Sequence, residues 1–147
     1  FQAEVETGLN ACLDVMLERR SVQEVFASNA YSYRAEDRGV NEFGVDRGTG
    51  HYFDAATGLL HVEVDAIDRA AGLCQFYTQQ AGEEAIQQLL MALLFQTHPG
   101  AQVREGRDFY IAISTPSGLP LIVQTRTIDR HRYEAPGTVQ VVMSFPG

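Results

Sequence analysis

Residues 82 to 98, GEEAIQQLLMALLFQTH, constrain the fold more than any other stretch of the chain. Ala85, Ile86, Leu89, Leu90, Leu93 and Leu94 recur at helical spacing, Met91 and Phe95 thicken the stripe, and Pro99-Gly100 ends it. A helix with so broad an apolar face needs a surface to cover, and the flanking sequence supplies one in period two. HYF, the turn-forming DAATG and LLHVEVDAI read as a hairpin at 51 to 67, in which Leu60, Val62 and Val64 alternate with His61, Glu63 and Asp65. GLCQFYTQ at 72 to 79 reads as a further strand. Beyond the helix, 109 to 115, 121 to 128 and 138 to 145 read as three more, the first two joined by the turn PSGLP.

A second amphipathic stripe, Val5, Leu9, Cys12, Leu13, Met16 and Leu17, predicts a helix over residues 4 to 19. Ser21 with Glu24 forms a capping box before Val22, Val25 and Phe26, which predicts a short helix to about Asn29, with a strand as the alternative. Residues 31 to 50 are polar and glycine-rich and predict an irregular or weakly paired excursion. The fold class is therefore α+β: helices on one face of a mostly antiparallel sheet. A length of 147 residues suits one domain over 1–147.

TGLLHVEVDAIDR at 57 to 69 is echoed by SGLPLIVQTRTIDR at 117 to 130. Gly58, Leu59, Leu60, Val62 and Ile67-Asp68-Arg69 match Gly118, Leu119, Leu121, Val123 and Ile128-Asp129-Arg130 when one gap is allowed. The echo predicts an internal duplication, helix plus about three strands in each of 1–80 and 81–147. Turn glycines and core aliphatics suffice for most of the identities, so the shared residues describe construction rather than function.

Eleven basic against 19 acidic residues give a net charge of -8, which repels a phosphate backbone and sets nucleic acid aside. No apolar run approaches the ~18 residues of a membrane-spanning helix. The two cysteines fit no zinc motif and no CxxC pattern. Cys12 faces the core side of its helix and Cys74 shares a strand face with Phe76 and Thr78, which predicts a Cys12–Cys74 disulfide; two reduced thiols in a core are the alternative. A bridge implies an oxidising compartment, and the expectation of a periplasmic or secreted protein follows from it.

Few residues are arranged for chemistry. A five-residue loop at 54 to 58 would set His51 opposite His61, with Glu63 and Asp65 continuing that polar face, a geometry able to share a metal ion. Ser28, Ser32, Ser114, Ser117 and Ser144 lack a GxSxG context, and no phosphate-cradling glycine motif occurs. Glu36, Asp37, Glu42 and Asp46 read as solvated loop charges. Arg126, Arg130, His131, Arg132 and Tyr133 form a basic and aromatic cluster suited to a carboxylate or an acidic partner. Neither a resident metal nor a cofactor is indicated.

With AIQQLLMALLFQTH at 85 to 98 and FYIAISTPSGLPLIV at 109 to 123, the order of elements resembles that of type III secretion chaperones, which are small acidic α+β proteins. The resemblance covers residues 5 to 125 and implies a dimer that binds extended segments of effector proteins. Where that family has a third helix, residues 138 to 145 read as a strand. The leading expectation is a non-catalytic binding or protein-interaction domain of the cell envelope, holding a protein or small-molecule partner through the open sheet face or an edge strand. His51, His61, Glu63, Asp65, Arg126, Arg130 and Arg132 are the candidate face. A small metal-assisted enzyme using His51 and His61 is the rival, and a chaperone-like dimer a further alternative.

Overall fold

The structure, a computed structural model, describes residues 2–28, 31–46, 48–55, 61–64, 72–79, 81–128 and 138–146; among these, the side chains of 26–28, 31, 55 and 61–63 lie outside the description. Among the described residues three helices, α1 (Gln2–Met16), α2 (Val22–Ser28) and α3 (Glu83–Thr97), accompany eight strands. The strands are β1 (Tyr31–Asp37), β2 (Thr49–Ala55), β3 (His61–Val64), β4 (Leu73–Thr78), β5 (Gln102–Arg104), β6 (Tyr110–Ile113), β7 (Leu121–Ile128) and β8 (Thr138–Ser144). They form one antiparallel sheet in the order β1-β2-β3-β4-β8-β7-β6-β5. Two four-stranded meanders thus meet along β4 and β8. Short connections between successive antiparallel strands produce such meanders without common ancestry, so the arrangement does not itself establish a duplication.

The alternation of side chains sorts the sheet into rows. His51, Val64, Cys74, Met143, Val123 and Ile111 are successive cross-strand partners, and all but the half-buried His51 are fully buried. The next inner row contains Phe53, Phe76, Val141 and Thr125. Helix α1 lies over the middle of this face. Cys12 is bonded to Cys74 across 5.5 Å between Cα atoms, and Gly8 sits against the ring of Phe76 so closely that a Cβ there would lie 2.9 Å from it. Helix α3 lies over β7, held by Ile86, Leu90 and Leu94 in the core and by hydrogen bonds from Thr125 and Thr127 to the Glu83 carboxylate at 3.1 and 2.9 Å.

The predicted helices occupy their expected places, α1 ending three residues early as the chain turns through Glu18 at φ 57°. Ser21 caps α2 by accepting a hydrogen bond from the Glu24 amide at 3.1 Å. The irregular excursion expected at 31 to 50 is corrected: Tyr31–Asp37 is a full edge strand with seven residues in register against β2. Its polar composition masked it, because an edge strand over the rim of the core needs little apolar surface. Strand β5 was also unexpected, being only three residues long. Where the secretion-chaperone order would place a third helix, β8 runs through the centre of the sheet and is nearly all buried on its inner side.

Two outcomes follow from the seat of α1. Replacing both cysteines by alanine should lower stability by about 4 kcal/mol, the loop-entropy value for a separation of 62 residues, read as a shift in the urea midpoint. Gly8→Ala should destabilise by about 1–3 kcal/mol despite the better helix propensity of alanine, because the fully buried Phe76 ring has no room to retreat; an unchanged or raised melting temperature would refute this account of Gly8.

Candidate functional site: the outer face of the sheet

Helices α1 and α3 occupy the inner face, and the residues of opposite parity point away from them. One outer row joins Arg34, Tyr52, Gln75, Val142, Gln124 and Tyr110, with Glu63 at the β3 position between Tyr52 and Gln75. A second joins Ser32, Asp54, Tyr77, Gln140 and Arg126, with His61 at the β3 position between Asp54 and Tyr77. Amide, phenol, carboxylate and guanidinium groups therefore dominate these two rows, which are turned away from α1 and α3.

These groups are organised by their neighbours. The Arg34 guanidinium lies 4.3 Å from the centroid of the Tyr52 ring and 3.5 and 3.8 Å from the carboxylates of Asp54 and Glu36. Arg34 and Glu36 are exposed and Asp54 and Tyr52 partly so, and the cluster orients Arg34 more than it stabilises the fold. Nearer the centre, Gln140 Nε2 donates to Gln75 Oε1 at 2.7 Å and to Tyr77 Oη at 3.3 Å, fixing the sense of the amide. Tyr77 is 7% exposed, and its ring fills the outer surface between these groups. Arg126 closes the row and is exposed.

The sequence-predicted residues divide. Arg126 and the backbone positions of His61 and Glu63 come to this face; the side chains of His61 and Glu63, and all of Asp65, Arg130 and Arg132, lie outside the described residues. His51 does not join them. Strand β2 continues to Ala55, so His51 pairs with Val64 and His61 with Asp54, which puts the two histidine positions on opposite sides of the pleat. The cross-strand histidine pair expected from the five-residue loop is corrected by this three-residue difference in register. His51 instead ends a core row, stacked on Tyr33 with ring centroids 6.0 Å apart and hydrogen-bonded through Nδ1 to Tyr33 Oη at 2.8 Å. Among the described residues no group of three or more His, Cys, Asp or Glu is arranged to hold a metal.

Sequence reasoning missed Arg34, Tyr52, Asp54, Gln75, Tyr77 and Gln140. A signal existed in β4, where Gln75 and Tyr77 alternate with Cys74 and Phe76, but their meeting with Gln140 depends on the β4–β8 pairing across 65 residues. The sequence matches no known protein family, no curated protein and no solved structure.

Two titratable groups on the covered side report on the helix seats. Both carboxyl oxygens of Glu4, in the first turn of α1, are shut from solvent without a partner in hydrogen-bond geometry. Desolvation raises its pKa above the ordinary carboxylate value, with the nearby Thr78 hydroxyl drawing it partly back. At the other end of the helices, Arg19 is only a donor, so His98 Nε2 accepts from it at 3.4 Å and Nδ1–H donates to Thr97 Oγ1 at 2.8 Å. Burial first and Arg19 second lower the His98 pKa.

A raised carboxyl pKa penalises the folded state as pH climbs through and above the ordinary value. Glu4→Gln should therefore raise the melting temperature at pH 7, and the gain should fade below pH 4.5. A lowered imidazole pKa has the converse effect: stability is full above pH 6.5 and falls as pH drops toward the folded value. His98→Gln should flatten that slope, and thermal melts from about pH 3.5 to 8 on both variants check the two signs.

Proposed function

We propose that the protein is a non-catalytic binding domain that acts in an oxidising compartment and holds a partner against the outer face of its sheet. The observation that carries this reading is the contrast between the two faces. The inner face is closed by α1 and α3, whereas the outer face presents two rows of tyrosine, glutamine and arginine, with Gln140 hydrogen-bonded to Gln75 and Tyr77 and the exposed Arg34 held by Tyr52, Asp54 and Glu36. Such side chains offer flat contact area at low entropic cost together with donors and acceptors, the composition favoured where proteins meet partners. A broad face on which the described residues bring no nucleophile and base together suits recognition better than bond making.

The compartment reading rests on the buried Cys12–Cys74 bridge, which joins α1 to the middle of the sheet. No described helix is long and apolar enough to cross a membrane. A periplasmic or secreted setting is part of the proposal, and thiol trapping in intact producing cells tests it: both cysteines should resist alkylation until a reductant is added to the denatured chain.

For the face itself, a photo-crosslinking residue at Gln124 or Tyr52 in producing cells should capture a discrete partner, and Arg126→Glu should weaken that capture at least tenfold without moving the melting temperature. Equal capture from a position on the helix side of the sheet, such as the exposed Gln88 of α3, or indifference to Arg126→Glu, would defeat the assignment.

A further inference from the structure

The end of the sheet where β1 passes into β2 carries an apolar knob. Val40, Phe43 and Val45 are 65, 81 and 58% exposed, although the loop that carries them is tightly built. Asn41 Oδ1 accepts hydrogen bonds from the amides of Phe43 and Val45 at 2.9 and 3.0 Å, its own amide donates to the Val45 carbonyl at 2.9 Å, and Val40 bridges to Asp46. Gly39, Gly44 and Gly48 take up the left-handed turns this shape needs. A loop ordered in this way holds Phe43 outward at no further entropic cost when a partner arrives, which distinguishes an anchor from a side chain exposed by chance.

The same end of the molecule carries a socket. Met16, Leu17, Pro116, Leu119 and Phe145 surround an open cavity of ≈ 280 Å³ between the end of α1, the β6–β7 turn and the residues after β8. Leu119 on its rim is 52% exposed. The Thr115 and Ser117 hydroxyls beneath it are bonded to each other at 2.9 Å, so the wall facing a guest is mainly hydrocarbon. Knob and socket share one end because Asp37, Thr49, Ile113, Leu121 and Ser144 are the strand termini there and α1 runs toward it from Gly8 to Met16. Four to five strands separate them laterally, roughly 20 Å at ordinary strand spacing.

We infer that two copies of the chain dock end to end, each placing Phe43 in the socket of the other. A two-fold axis along the sheet normal, midway between knob and socket, brings both pairs together at once and closes the assembly as an isologous dimer. Charge favours the same pairing: Glu42 and Asp46 flank Phe43, and Arg19 and Arg20, which follow the socket's Glu18, keep side chains 50 and 42% exposed while both reach Asp14 at 4.0 Å; Arg19 also meets His98, and Arg20 the Glu24 carbonyl. This end is distinct from the outer face, so partner binding there and self-association are separable.

Sedimentation velocity on the full chain tests the inference. The protein should sediment as a dimer, and Phe43→Ser and Leu119→Ser should each weaken it at least thirtyfold, a loss of hot-spot size. Both positions are exposed, so unchanged thermal melts will show the fold intact. Mixing the two variants should restore a heterodimer, since one knob and one socket survive in opposite partners, while the double variant should stay monomeric. A wild-type monomer at about 1 mM, a dimer indifferent to both substitutions, or open-ended polymers would overturn it.

Discussion

The seat of α1 on β4 is the constraint on which the rest of the structure depends. The Cys12–Cys74 bond, the close approach of Gly8 to Phe76 and the placement of Glu4 over Thr78 occur at successive turns of one helix, so they fix its height, rotation and direction together. Because β4 is the last strand of the first meander and pairs with the last strand of the second, α1 covers the seam between the halves. Helix α3 then packs beside it on β7, its C-terminal His98 meeting Arg19 beyond the end of α1. Side chains on the other surface of the seam are left to face away from both helices, which is why the ordered polar rows lie there.

Interaction energies are distributed accordingly. The covered face holds nearly all the large buried side chains, and its few polar groups are either paired, as Glu83 is with two threonines, or show a cost, as Glu4 does. The outer face holds exposed ion pairs of small energetic weight around Arg34 and a tighter amide and phenol pair at Gln140 and Tyr77. A surface whose groups contribute little to stability but are held in fixed orientations is free to be used for recognition. Rigidity at the Phe43 loop has the same character, since its hydrogen bonds are local and its apolar groups contribute nothing to the core.

Much of the fold was legible because its signals are local. The stripe of Ile86, Leu90 and Leu94, the Ser21 cap and the alternation around Cys74 and Phe76 each depend on neighbours a few residues away. Strand β1 escaped because edge position substitutes for apolar content, and β5 because three residues carry too little pattern. The candidate site was legible only in part. Arg126 and the positions of His61 and Glu63 fell on the right face, whereas His51 was assigned to it through a hairpin register that loop composition does not fix.

By itself, then, the sequence determined the α+β class, the helices, most strands and the pairing of the only two cysteines, since short-range periodicity encodes which face of each element is apolar. Only the tertiary structure decided the strand order, the meeting of β4 with β8, the exclusion of His51 from the outer face and the sharing of one end by Phe43 and the Leu119 socket. Those features are settled by register and by contacts between residues tens of positions apart. A one-residue shift in either reverses which side chains meet, and no local pattern records it.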